Sequence, residues 1–101
     1  MMCKTRQEIE MDFTRAVDQA AELERLAVDL SRIANSGVES ALLVIQNGWR
    51  GSASQSMTDA GKNATADIYR TADDLLRVAK NIRATADIVY KAEKKALKLS
   101  F

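Results

Sequence analysis

Along almost the whole chain, apolar or small residues recur at alternating steps of three and four, and the pattern is interrupted once, near the middle. The first stripe runs Phe13, Ala16, Ala20, Leu23, Ala27, Leu30, Ala34, Gly37, Ala41 and Val44. The second runs Met57, Gly61, Ala64, Ile68, Ala72, Leu75, Ala79, Ile82, Ala86, Val89 and, after Glu93, Ala96. Steps of this kind place every member on one face of an α-helix. Proline is absent from the 101 residues and only four are glycine, so little in the chain opposes long helices. Between the stripes, Asn47-Gly48 and Gly51-Ser52 supply residues that tolerate a positive φ and that cap a new helix. The expectation is a single all-α domain over 1–101, with helix 1 at about 6–46, a turn at about 47–52 and helix 2 at about 53–98.

So short a turn makes the two helices antiparallel neighbours. In a hairpin centred near residue 49, facing residues have numbers that sum to about 98. Leu30 then faces Ile68, Leu23 faces Leu75, Ala16 faces Ile82 and Ile9 faces Val89. Gly37 also faces Gly61, which predicts a close approach of the two backbones there. A second reading stays open: Asn35-Ser36-Gly37 ends a helix, and the chain forms three helices instead of two.

Two helices bury one seam, and a layer that thin ordinarily needs another against it. Helix 2 carries a second apolar row, Tyr69, Leu76, Tyr90 and Leu97, with Arg83 interrupting its seven-residue spacing. Helix 1 adds Val17, Leu26, Ile33 and Ile45. We take Tyr69, Leu76, Tyr90, Leu97, Leu26 and Ile33 as the candidate interface through which hairpins dimerise into a four-helix bundle. The alternative is that they are ordinary exposed side chains on a solvated face.

Charge and chemistry narrow the function classes. Fifteen basic and 14 acidic side chains leave a net charge of +1, which gives no reason to expect nucleic acid as a partner. The N-terminal half carries six Lys/Arg against eight Asp/Glu and the C-terminal half nine against six, so the halves are mildly complementary. Lys91, Lys94, Lys95 and Lys98 are expected to be neutralised by Glu8, Glu10 and Asp12 across the hairpin, leaving at most weak membrane contact. Histidine is absent, and Cys3 is the only cysteine, an incidental thiol near the chain end. Asp73 and Asp74 diverge on a helix. No catalytic group, metal site, cofactor or small-molecule substrate is expected, and the chain reads as a non-enzyme. The segment MMCKTRQEIEMD has no apolar core of the kind a signal peptide uses, and no apolar run approaches membrane-span length.

Trp49-Arg50-Gly51, midway along a proline-free chain of this length with a long amphipathic helix on either side, resembles the Trp-x-Gly (WXG) family of type VII (ESX-type) secretion. These are the small, early-secreted-antigen-like helical hairpins, and the resemblance covers nearly the whole chain. It implies a hairpin that dimerises into a four-helix bundle and leaves the cell through a machine driven by a membrane ATPase. Trp49 and Gly51 match the family's turn motif, which is linked to recognition by that machinery. The family's other signal, a tyrosine with an acidic residue four positions on, is degenerate here. Tyr90 has Glu93 at the third position and Lys94 at the fourth, while Tyr69 and Asp73 have the spacing but lie early in helix 2.

That departure, with the chain ending at Phe101, raises the expectation that the protein travels with a partner carrying the complete signal. The function expected is a secreted substrate, or a co-secreted targeting partner or chaperone. Its partner is a second copy, a related hairpin or the helical domain of a toxin. Its route is independent of a signal peptide, with a cytoplasmic pool before export. The alternative is a cytoplasmic helical adaptor that is never exported.

Overall fold

The computed structural model describes residues 4–48 and 51–99, and among these the chain is all-helical, with no strand. Helix α1 spans Arg6–Arg32, a π-helical segment follows at Ile33–Val38, α2 spans Glu39–Gly48, and α3 spans Ser52–Leu99. Backbone packing divides the described residues into two units, one of 4–24 with 76–99 and one of 25–48 with 51–75.

In the first unit, the start of α1 lies antiparallel to the end of α3, as the pairs Glu24 with Arg83 and Glu10 with Lys94 require. Its buried residues are Ile9, Ala20 and Ala79. In the second unit they are Ala27, Ala34, Ala72 and Thr58. The alanines repeat every seven residues on each helix, and so short a side chain allows neighbouring helices to approach closely. Among the described residues no large side chain is fully buried. Within each unit the buried positions are mostly alanine methyl groups, with Ile9 in the first unit the one large apolar side chain among the buried residues described.

The beginning of α1 is closed by a reciprocal cap. The Thr5 hydroxyl accepts from the Glu8 amide at 3.1 Å, and a Glu8 carboxylate oxygen accepts from the Thr5 amide at 3.3 Å. This capping box satisfies amides that have no partner within the helix. Gly51 stands directly before α3 with φ +76°, the only positive φ among the described residues, and its carbonyl accepts the Gln55 amide at 3.3 Å. No atom lies within 4 Å of where a Gly51 side chain would begin, so the dihedral, not space, calls for glycine there. Ser52 lies already inside α3.

Asn35-Ser36-Gly37 neither breaks helix 1 nor leaves it regular. The flanking residues Arg32 (φ −66°, ψ −42°) and Glu39 (φ −63°, ψ −40°) keep right-handed helical dihedrals. The Ser36 hydroxyl donates back to the Arg32 carbonyl at 2.8 Å, a contact that loosens the local backbone ladder. A π turn takes up one extra residue, so every later position rotates by one. The expected inner residues Gly37, Ala41 and Val44 are exposed, Val44 by 71%, and Val38, Leu42 and Ile45 are half-buried in their place. The exchange covers roughly seven more side-chain carbons. At about half burial that is on the order of 3 kcal/mol, enough to favour a locally poorer helix geometry.

The expected contact of Gly37 with Gly61 is overturned by the same rotation. A side-chain carbon added at Gly61 would collide with Leu42 Cδ2 and lie 2.9 Å from its Cγ, whereas at Gly37 the nearest atom is Ile33 Cγ2 at 4.0 Å. Gly61 therefore makes room for Leu42. Gly61→Val is expected to lower stability by about 1–3 kcal/mol through overpacking. Gly37→Ala is expected to leave it unchanged or raise it by up to about 1 kcal/mol. Thermal melts of the two variants check this, and equal losses would contradict the rotated register.

Candidate functional site

The densest side-chain network lies in the first unit, where the two chain-terminal segments of the helices meet. Tyr90 is half-buried; its hydroxyl donates to Glu10 Oε1 at 2.7 Å, and its ring packs on Phe13 with centroids 4.6 Å apart. Lys94 donates to the same Glu10 oxygen at 2.9 Å and sits 5.3 Å from the Tyr90 ring centre. Lys4 bridges Asp12 at 2.8 Å and Glu93 at 3.1 Å. Further along, Arg83 grips Glu24 with two bonds, Nη2 to Oε1 at 2.5 Å and Nε to Oε2 at 3.3 Å. Each pair joins α1 or the residues before it to α3, or holds the residue that does.

These contacts shift proton affinities in a consistent sense. Hydrogen bonds from Lys94 and then Tyr90 lower the Glu10 pKa, the bond from Lys4 lowers that of Asp12, and the bond from Arg83 lowers that of Glu24. Lys4 is raised by Asp12 and Glu93, and Lys94 by Glu10. All of these groups are open to solvent, which screens the pairs and keeps their individual contributions small.

Beside the network runs a groove of about 450 Å³, lined by Ile9, Phe13, Ala16, Val78, Ile82 and Val89 together with Lys4, Asp12 and Glu93. Glu93 has one oxygen on Lys4, and the other, Oε2, is buried without a hydrogen-bond partner. Among the described residues no cluster of three or more His, Cys, Asp or Glu could hold a metal. None of the described helices is long and apolar enough to cross a membrane.

The residues singled out in the sequence fall into three groups. Trp49 and Cys3 lie outside the described residues. Gly51 belongs to one unit, and Tyr90 and Glu93 to the other, where both are engaged within the chain. Of the candidate interface, Tyr69, Leu76, Leu26 and Ile33 are exposed, at 39%, 45%, 48% and 53%, while Tyr90 and Leu97 are half-buried. Arg83, which interrupts that row, is the residue that binds Glu24. Within the basic cluster, Lys94 reaches Glu10 and Lys91 pairs with Asp87 at 2.9 Å on its own helix.

Two features escaped the sequence reading. Thr5-x-x-Glu8 is a legible capping signature just before the first stripe. The Glu24–Arg83 pair was less accessible, because its two positions lie several residues off the level at which the stripes oppose each other.

The acid response follows from the shifts. A carboxylate whose pKa falls on folding contributes stability above its unfolded value, 4.5 for Glu10 and Glu24 and 3.8 for Asp12, and loses it as pH drops through the lower folded value. The melting temperature is expected to fall as pH is lowered from 5 to about 3, and less steeply in Glu10→Gln, which has already lost one of the titrating carboxylates. Parallel pH profiles for the two proteins would contradict this. No protein-family model, curated protein or solved structure matches the chain, so its own side chains carry the functional argument.

Proposed function

We propose that this chain is a small, non-catalytic helical hairpin of bacterial type VII secretion, exported with or as a partner rather than acting alone. The partner is a second copy, a related hairpin or the helical domain of a toxin. The observation that carries the reading is Gly51, the glycine of the sequence Trp49-Arg50-Gly51, at φ +76° directly before the second long helix. That is where the resembled family keeps its turn motif. The alanine seam also supports it, since a layer with no large side chain fully buried gains from a second layer.

The second reading, a helical adaptor that stays in the cytoplasm, draws on a different observation. Tyr90 and Glu93, the residues nearest to a C-terminal export signal, are bonded to Glu10 and Lys4 within the chain. Export separates the two readings. Under the first, the protein appears in culture medium only when the type VII ATPase is intact, and Trp49→Ala lowers export severalfold while moving the melting temperature little. Medium free of the protein in both strains, with a cytoplasmic enzyme as the lysis control, favours the adaptor. Parallel loss of export and folding in Trp49→Ala reduces Trp49 to a structural role.

A further inference from the structure

We infer that Asn47-Gly48, at the end of α2, is a site of spontaneous covalent modification, where the asparagine side chain closes on the Gly48 amide and reopens as isoaspartate or aspartate. The inference stands apart from the secretion reading. Among the described residues nothing asks for glycine at position 48. Its φ is not positive, a conformation that only Gly51 adopts, so the left-handed cap that accounts for many glycines at helix ends is absent here. No atom lies within 4 Å of where its side chain would begin, so no close neighbour excludes a larger residue. What glycine does there is chemical. With no Cβ at position 48, the backbone nitrogen that follows Asn47 is unhindered, and the segment reaches the dihedrals of ring closure at little steric cost.

The chain has four asparagines, all exposed, and their positions in the helices separate them. Asn35 precedes Ser36 inside the π-helical segment, while Asn63 and Asn81 precede Ala64 and Ile82 well inside α3. Asn47 is the next-to-last residue of α2. A terminal turn opens at almost no cost, whereas an interior amide is freed only when the helix around it opens. Once the Gly48 nitrogen has lost its proton, it bonds to Asn47 Cγ. The Cγ–Nδ2 bond breaks and Nδ2 leaves as ammonia, which closes a cyclic imide. One water then opens the ring: cleavage between Cγ and the Gly48 nitrogen gives aspartate, and cleavage at the Asn47 main-chain carbonyl carbon gives isoaspartate. In sum, water is consumed, ammonia is released, and nothing is oxidised or reduced. Either product places a negative charge in the last turn of α2, where the helix macrodipole opposes it, and cancels the chain's net charge of +1. Isoaspartate also routes the main chain through the side chain, a length that the helical hydrogen-bond ladder does not accommodate.

The test is peptide mapping by mass spectrometry of the purified full-length chain, kept well below its melting temperature in mildly alkaline and in mildly acidic buffer. In the alkaline buffer, conversion at Asn47 is expected to outpace conversion at Asn35, Asn63 and Asn81 about tenfold or more, with both isoaspartate and aspartate formed. The acidic buffer is expected to slow it, since the attacking amide must lose its proton. Gly48→Ala, which meets open space and no dihedral strain, is expected to retain the helical circular dichroism and to slow conversion about tenfold or more. Hydrogen exchange over the last turn of α2 is expected to be faster in the converted chain than in the fresh one. Conversion at Asn47 no faster than at the other three asparagines, or a rate that Gly48→Ala leaves unchanged, overturns the site. Aspartate formed without isoaspartate, or a rate that acid leaves unchanged, overturns the imide route. Identical exchange in fresh and converted chains overturns the loosening of α2.

Discussion

The seam of alanines sets the terms for everything else in this chain. Ala20 and Ala79 in one unit, and Ala27, Ala34 and Ala72 in the other, contribute one methyl group each, so in each unit the helical segments pack together while almost none of their larger apolar side chains are fully enclosed. Methyl burial is worth on the order of 0.8 kcal/mol per carbon, little set against the conformational entropy of ordering two long helices. The remaining devices work at the edges of that seam. A capping box starts α1, a glycine at positive φ precedes α3, and solvent-screened ion pairs join α1 and its leading residues to the end of α3.

The π turn at Ile33–Val38 shows how a small local irregularity is selected by packing. Gly37, Ala41 and Val44 continue the three-and-four rhythm, and on rhythm alone they are the inner face. Val38, Leu42 and Ile45, one position later, are larger, and the fold uses them, with Gly61 left bare beneath Leu42. The all-helical class and the single interruption were legible because propensity and periodicity agree over long stretches. The rotation was not, because two overlapping apolar stripes satisfy the same period and only side-chain volume across the seam separates them. Ser36, with a hydroxyl that returns to the Arg32 carbonyl, is the local trace of the choice.

The candidate site was legible to a similar depth. Opposite charges on the two ends of the hairpin pointed to Glu10 and the C-terminal lysines, and Lys94 meets Glu10. Which tyrosine would join them, and that Glu93 would turn toward Lys4, depends on rotamers that no spacing rule encodes. Tyr90 and Glu93 consequently hold the hairpin end together, whatever else they do. A role in export would use the surface they build together with Glu10 and Lys94, since neither stands apart from it.

The proposed function, a hairpin that takes a partner, predicts that folding and association are coupled when that partner is a second copy. The direct measurement is the melting temperature of the wild-type chain as a function of its own concentration over about a hundredfold range. A chain that completes its core with a second copy melts at higher temperature as concentration rises, because association stabilises the folded form by mass action. A melting temperature independent of concentration would mean that the alanine seam suffices alone, and that the exposed apolar face has no need of a second copy.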